Sequence, residues 1–384
     1  MRSLPRALSA VVTAALPVTV AAQSRFELAP SLAVGQVWDD NLFLSPDQPL
    51  ADAITRVSPG LRAGLRSPRL DVSLAYSQEG EIFAEESSLD TASARRAAGA
   101  ALRYSGRRGL LLEAVQAYTA TRTPGELVPT TGLDLGRRPA TQLSSRESLG
   151  LPLGPRTRGT VRYEFVTDTI EGGLTGQTHI AALTVEHTRS ERTTVSLGYT
   201  LRRLGSAGEW TTSHVVQAGW DHALGPHTWI RLAAGPRVTA GKREPEPEGE
   251  LSVRQRFRRG EAAAAYVRTQ ARILGQPGVG STESATVTLS GDVSRHFRIA
   301  VAPGFFRNRV PQADFRVVRM DTELTWSIGR SVSIVGSHVV AATHGRLQGD
   351  VLHNVFSVRI AVASPWRPPA SGGASREGGL GEEP

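Results

Sequence analysis

The chain has 384 residues, no cysteine, a formal net charge of +8 and only 40% hydrophobic residues. The lack of cysteine excludes a disulfide scaffold, a thiolate metal site, a cysteine nucleophile and a lipidated N-terminal cysteine. After residue 22 no run approaches the roughly 18–20 apolar residues that a membrane-spanning helix needs. Lys242 is the only lysine, so the positive charge is arginine. It is spread through a background of Gly, Thr, Ser and Val that favours β structure.

Residues 1–22 read as a secretory signal. Arg2 and Arg6 supply the positive start, Leu8 to Val20 the apolar run, and Val20-Ala21-Ala22 a small-residue cleavage site before Gln23. Its removal lowers the net charge from +8 to +6. There is no twin-arginine pair, which points to the general secretory route.

From Phe26 to Ala363 one device repeats: a segment of alternating apolar and polar residues, then a break. In chain order the segments lie near 26–38, 53–65, 69–83, 91–104, 109–121, 141–151, 156–169, 177–189 and 192–204. They continue near 210–223, 226–240, 248–258, 261–272, 281–293, 295–307, 317–328, 331–343 and 351–363. Around 156–166 the faces are plain, with Arg156, Arg158, Thr160, Arg162 and Glu164 on one side and Val161, Tyr163 and Phe165 on the other. The segments 91–104 and 261–272 are alanine-rich and alternate less clearly.

The breaks alternate as well. Short ones such as Ser67-Pro68, Ser190-Glu191 and Leu224-Gly225 are interleaved with long ones at 39–52, 84–90, 122–140, 170–176, 205–209, 241–247, 273–280, 308–316 and 344–350. A soluble sandwich has no reason for this alternation. A transmembrane barrel has one, because its periplasmic turns are tight and its outward loops long. Segment length agrees, since a tilted strand crosses the hydrocarbon in roughly 9–11 residues whereas strands of soluble proteins usually have about 5–6.

The fold predicted is all-β, a single antiparallel transmembrane barrel of about 18 strands, within a range of 16–18, in the cell outer membrane. Trp38, Phe83, Trp210 and Phe306 fall toward outer strand ends, and Tyr104, Phe257 and Phe297 toward inner ends, as two interfacial girdles would. The barrel domain runs over 23–363. Residues 364–384, rich in Pro, Gly, Ser and charge, read as a disordered periplasmic tail.

The mature N-terminal stretch reads Leu32-Ala33-Val34-Gly35-Gln36-Val37-Trp38-Asp39-Asp40-Asn41-Leu42-Phe43, and Asp52-Ala53-Ile54-Thr55-Arg56-Val57-Ser58-Pro59-Gly60-Leu61 follows it. It resembles the outer-membrane β-barrel porins encoded with bacterial exopolysaccharide-export systems. These open with an aromatic-Asp-x-Asn-aliphatic-Phe stretch and then carry a Ser-Pro-Gly-Leu-like run. The specific likeness covers about residues 32–61, and the remainder matches by architecture. The resemblance implies a porin-like channel linked to exopolysaccharide export, with an anionic polysaccharide and periplasmic export components as partners. One departure is at the C-terminus. The family commonly ends its last strand and chain on an aromatic residue, whereas here the strand holds Phe356 and runs on to Ala363.

The chemical feature of the polar faces is arginine. Arg56, Arg62, Arg156, Arg158, Arg162, Arg202, Arg254, Arg256 and Arg258 are the pore-lining candidates, because outward placement at mid-depth costs about 2–4 kcal/mol each. Such a wall favours anionic solutes. Equally, these arginines could pair with Asp71, Glu79, Glu164, Glu250, Asp321 and Glu323 and merely fill the interior. A structural or docking barrel of a secretion assembly, plugged by 122–140, is the alternative function, and an outer-membrane hydrolase a third.

Asp39-Asp40-Asn41 offers oxygen ligands for a cation, yet three consecutive residues cannot all point at one ion, so it reads as a loop-start turn. The nine histidines show no metal-ligand spacing. In Ser213-His214 and Ser337-His338 successive strand residues face opposite sides. With no phosphate loop, nucleotide fingerprint or nucleophile elbow, neither an enzyme nor a cofactor is predicted. The charge is dispersed rather than massed, which excludes nucleic acid as partner. Outer-membrane lipid and lipopolysaccharide are the surrounding partners, and assembly into an oligomer is open.

Overall fold

The computed structural model describes residues 25–363 apart from 207, 312, 330 and 346–348. The signal segment 1–22 and the tail 364–384 lie outside the described residues.

Eighteen strands form one sheet. They are β1 (Arg25–Asp39), β2 (Asp52–Arg66), β3 (Leu70–Phe83), β4 (Thr91–Ser105), β5 (Leu111–Thr121), β6 (Ala140–Gly154), β7 (Thr157–Ile170), β8 (Gly176–Ser190) and β9 (Thr193–Ser206). Then come β10 (Glu209–Gly225), β11 (Thr228–Thr239), β12 (Glu246–Phe257), β13 (Gly260–Ala271), β14 (Gly280–Asp292), β15 (Phe297–Val310), β16 (Ala313–Ile328), β17 (Val332–Gly345) and β18 (Val351–Ala363). Each pairs antiparallel with its chain neighbour. β18 returns to β1 in register from Ser31↔Ala363 to Asp39↔Val355, so the sheet closes and no edge is left unpaired. The alanine-rich segments form β4 and β13, because cross-strand pairing on both sides supplies what their weak alternation does not.

Alternation decides the two faces. Leu28, Leu32, Val34 and Trp38 of β1, Leu74, Tyr76 and Ile82 of β3, and Leu197 and Tyr199 of β9 are all exposed and point outward. An exposed apolar band around the whole circumference has no stable contact in water, but it matches hydrocarbon. This band and the closed sheet make the protein an outer-membrane β-barrel.

The connections also sort by side. Two-residue turns close β6–β7, β8–β9, β10–β11 and β12–β13, and a three-residue turn closes β2–β3, at the end where β1 starts and β18 finishes, and the longest loops (40–51, 122–139, 272–279) lie at the other. Two breaks read as long, 205–209 and 308–316, shrink to two residues because β9, β10, β15 and β16 extend further outward than their alternation suggests.

The aromatic girdles need a correction. Trp38 and Trp210 do face outward near the outer ends, and Phe257 and Phe297 near the inner ends. Phe83 and Phe306, however, point into the lumen and are buried there. Their parity places them on the inner face, and loop side chains cover them.

Candidate functional site

The lumen has two unlike halves. Toward the outer mouth the inward face turns apolar. Val37, Ile54 and Phe83 pack on Leu42 of loop 40–51. Phe306, Val310, Phe315 and Val317 pack on Leu133 of loop 122–139 and Ile273 of loop 272–279. Ala140 and Ile170 pack on Leu127 and Leu274 of the same two loops. The outer loops therefore fold inward, and the barrel wall supplies their core.

Loop 122–139 is the central piece. It leaves the wall between β5 and β6, yet its tip docks on β15 and β16, half the circumference away. Asn308 of β15, fully buried, donates from Nδ2 to the Thr131 carbonyl at 2.7 Å and accepts from the Thr282 hydroxyl at 3.0 Å. At Gly132 the backbone takes φ +64°, and a Cβ there would stand 2.3 Å from the Phe306 ring. Only glycine permits that approach.

Charges latch the same loop to the wall. Arg137 pairs with Glu81 of β3, both side chains nearly inaccessible, and its guanidinium lies 4.9 Å over the Phe83 ring. Glu126 pairs with Arg95 of β4 at 2.9 Å. Asp134 and Asp39 of β1 each stand 2.9 Å from one ring nitrogen of His353 on β18. Two carboxylates facing two imidazole nitrogens require both to donate, so the ring is charged and bridges loop and wall. Burial pushes the Asp134 carboxyl up, but the His353 hydrogen bond and the charges of His353 and Arg319 outweigh it and hold it below the ordinary 3.8. Arg272 of loop 272–279 pairs with Asp168 of β7, one of the contacts at 3.0 Å.

The nine arginines read from the sequence separate into groups. Arg156 and Arg258 are not strand residues: each sits in a periplasmic turn, because β7 begins at Thr157 and β12 ends at Phe257. Arg56 is held by Glu81 at 2.9 Å and Glu79 at 3.6 Å. Arg202 shares buried Glu248 with Arg237. Arg254 and Arg256 both reach Glu261, and Arg256 also lies 5.3 Å over the Trp229 ring. Arg62 points inward with an exposed side chain. Arg158 and Arg162 share the inward face of β7, and among the described residues neither has a carboxylate within 4.0 Å.

Of the acids expected as partners, Asp71 meets Arg66, Glu79 meets Arg56, Glu164 meets Arg146 and Asp321 meets Arg319. Glu250 and Glu323 form no ion pair among the described residues.

Below the loops lies a recess of about 230 Å³ lined by Gly35, Arg56, Ser58, Glu79, Glu323, Ser337, Ser357 and Arg359. In register, Gly35 stands between Arg56 on β2 and Arg359 on β18. A Cβ at Gly35 would meet the Val358 carbonyl at 2.6 Å, so glycine both allows the strand approach and leaves a notch between two guanidinium groups. Arg359 is not one of the nine arginines predicted to line the pore, although its alternation with the exposed Phe356, Ile360 and Val362 marks it as inward.

Asp39, Asp40 and His353 bring ligand atoms within 4.8 Å of one another. Their lone pairs are spent on the loop start: Asp39 accepts from Asn41 N at 3.0 Å, and Asp40 from Asn354 N at 2.8 Å and Nδ2 at 2.6 Å. Neither serine–histidine pair meets. Ser213 and Ser337 face inward, the latter bonded to Ser357 at 2.7 Å, while the outward His214 is bonded to Tyr199 at 2.7 Å.

No family model and no curated protein matches the chain. Among solved structures it is similar to OccK2 (OpdF) of Pseudomonas aeruginosa, with 10% identity, 88% of this chain and 98% of that chain covered, and a TM-score of 0.49. It is similar also to OccAB4 of Acinetobacter baumannii (9% identity, 89% and 99% covered, TM-score 0.49). A third is an anion-selective porin from Comamonas acidovorans (12% identity, 89% and 100% covered, TM-score 0.41).

Proposed function

We propose that the chain is a porin-like channel for anionic solutes, constricted at its outer mouth by loop 122–139. The observation that carries this reading is the pair Arg158 and Arg162, inward on one strand and without a carboxylate partner among the described residues. Unpaired guanidinium groups on a water-filled wall raise the local concentration of anions, whereas paired ones contribute little field. Arg359 beside the Gly35 notch adds a third such group. Exopolysaccharide export is the finer reading. Its support is the likeness of residues 32–61 to porins encoded with such systems, and an acidic polymer suits the free arginines.

Planar-bilayer conductance of the refolded chain, with permeability taken from the reversal potential, is the test. Discrete steps with anion preference are expected. Cation preference would discard the arginine wall. Absence of conductance from a folded, heat-modifiable barrel would favour the plugged docking barrel, for which the opposite-wall docking of loop 122–139 is the supporting observation. Deleting 122–139 separates the two, because a plug releases a large conductance where a constriction releases a modest one. The export reading fails if a null mutant secretes polymer normally.

A further inference from the structure

The lipid-facing surface carries a charged row that the channel does not use. Arg268 of β13, Glu283 of β14, Arg307 of β15 and Arg316 of β16 are consecutive partners in register. Each stands three residues in from the outer end of its strand. Strand rise and a tilt near 40° put that level about 8 Å below the strand ends. The alternation is unambiguous, since the neighbours Phe306, Phe315 and Val317 are buried beneath the inward loops while Phe305 and Val318 are exposed. Arg309 and Asp314 lie one step further out on the same face.

The next lipid-facing row inward is Tyr266, Ala285, Phe305 and Val318, without a charge. The apolar belt therefore stops at this row and charge begins, as expected where hydrocarbon gives way to headgroups. The sign is not balanced. Glu283 takes Arg268 at 3.6 Å and Arg309 at 3.5 Å, and Asp314 takes Arg307 at 2.7 Å. Four arginines thus face two carboxylates, and Arg316 forms no ion pair among the described residues. Farther along, His344 on β17 is answered by Asp350 at 3.1 Å. Guanidinium groups present paired donors that fit a phosphate, and a phosphate at this depth is carried on a lipid.

We propose that the outer face of β13–β16 binds the phosphorylated sugar headgroup of an outer-leaflet glycolipid, with Arg309 and Arg316 as its principal donors. Asp314 holds Arg307, and Arg268 and Arg309 share the single carboxylate of Glu283, so Arg309 keeps donors for a phosphate and Arg316 is unanswered. This rests on the outer-membrane barrel and not on the channel reading, so a non-conducting barrel would leave it standing.

The full chain, refolded in phosphatidylcholine vesicles, is titrated with bisphosphorylated lipid A and, separately, with the same lipid stripped of both phosphates. Binding is read from retained lipid on repurification. The phosphorylated form is expected to be preferred, and R309Q/R316Q to lower its affinity about 30-fold, from roughly one unit of basic-residue attraction per arginine. Wild-type protein that retains the two lipids equally overturns the proposal and is independent of any variant. A folded, heat-modifiable R309Q/R316Q barrel with undiminished preference also overturns it. So does a patch that serves self-association, seen as oligomers in lipid-free detergent together with no lipid preference.

Discussion

Replacing Gly132 by valine is the sharpest probe of the inward loop. The residue sits at φ +64°, where an L side chain costs about 1–2 kcal/mol. The new Cβ would stand 2.3 Å from Phe306 Cδ2, well inside contact. Phe306 cannot retreat, because Val310, Phe315 and Val317 pack against it from the wall. Overpacking of this kind costs about 1–3 kcal/mol, so the docked loop is destabilised by about 2–5 kcal/mol in total. At about 1.4 kcal/mol per tenfold, the population of undocked loop rises by at least an order of magnitude. The strands hold their own pairing, so the barrel stays folded while the tip leaves β15. Two readouts follow. Single-channel conductance rises and becomes noisier, and trypsin cuts faster after Arg137, whose side chain is otherwise nearly inaccessible. Gly132→Ala gives the same effects more weakly. A folded Gly132→Val barrel with unchanged conductance and unchanged cleavage would refute the docking of this loop on the far wall.

Glu81→Gln leaves Arg137 buried without its charge partner, and breaking such a pair costs about 3–5 kcal/mol. A lower temperature of gel-mobility transition with faster loop proteolysis is expected, and wild-type values would contradict it. Arg158→Gln/Arg162→Gln lowers the anion-to-cation permeability ratio, whereas Arg254→Gln, whose charge is already answered by Glu261, changes it less; reversal potentials in a salt gradient decide. Acid should release the latch at Asp134. A carboxyl held below its unfolded value contributes stability that is full above 3.8 and lost as pH falls through the lower folded value. Conductance is therefore level from neutral pH to 5 and rises only below about pH 4; a rise between pH 7 and 5 would assign the latch to another group.

The barrel was legible because its physics is local. Hydrocarbon outside and water inside force a period of two along every strand, so segments such as 156–169 and 248–258 declare both their length and their faces without reference to the rest of the chain. The face of Arg56 and Arg162 follows from neighbours one residue away. The loop alternation likewise sets which side of the membrane each connection lies on.

What the sequence could not decide is whatever depends on contacts across the lumen. Phe83 and Phe306 look like girdle aromatics until loops 40–51 and 122–139 are seen to cover the inner wall. Which arginines are neutralised depends on register between strands far apart in the chain, as with Arg202 and Glu248, or between loop and wall, as with Arg137 and Glu81. The row from Arg268 to Arg316 exists only because four strands pair in one register. A single strand reports its own alternation, but height and partners belong to the closed sheet.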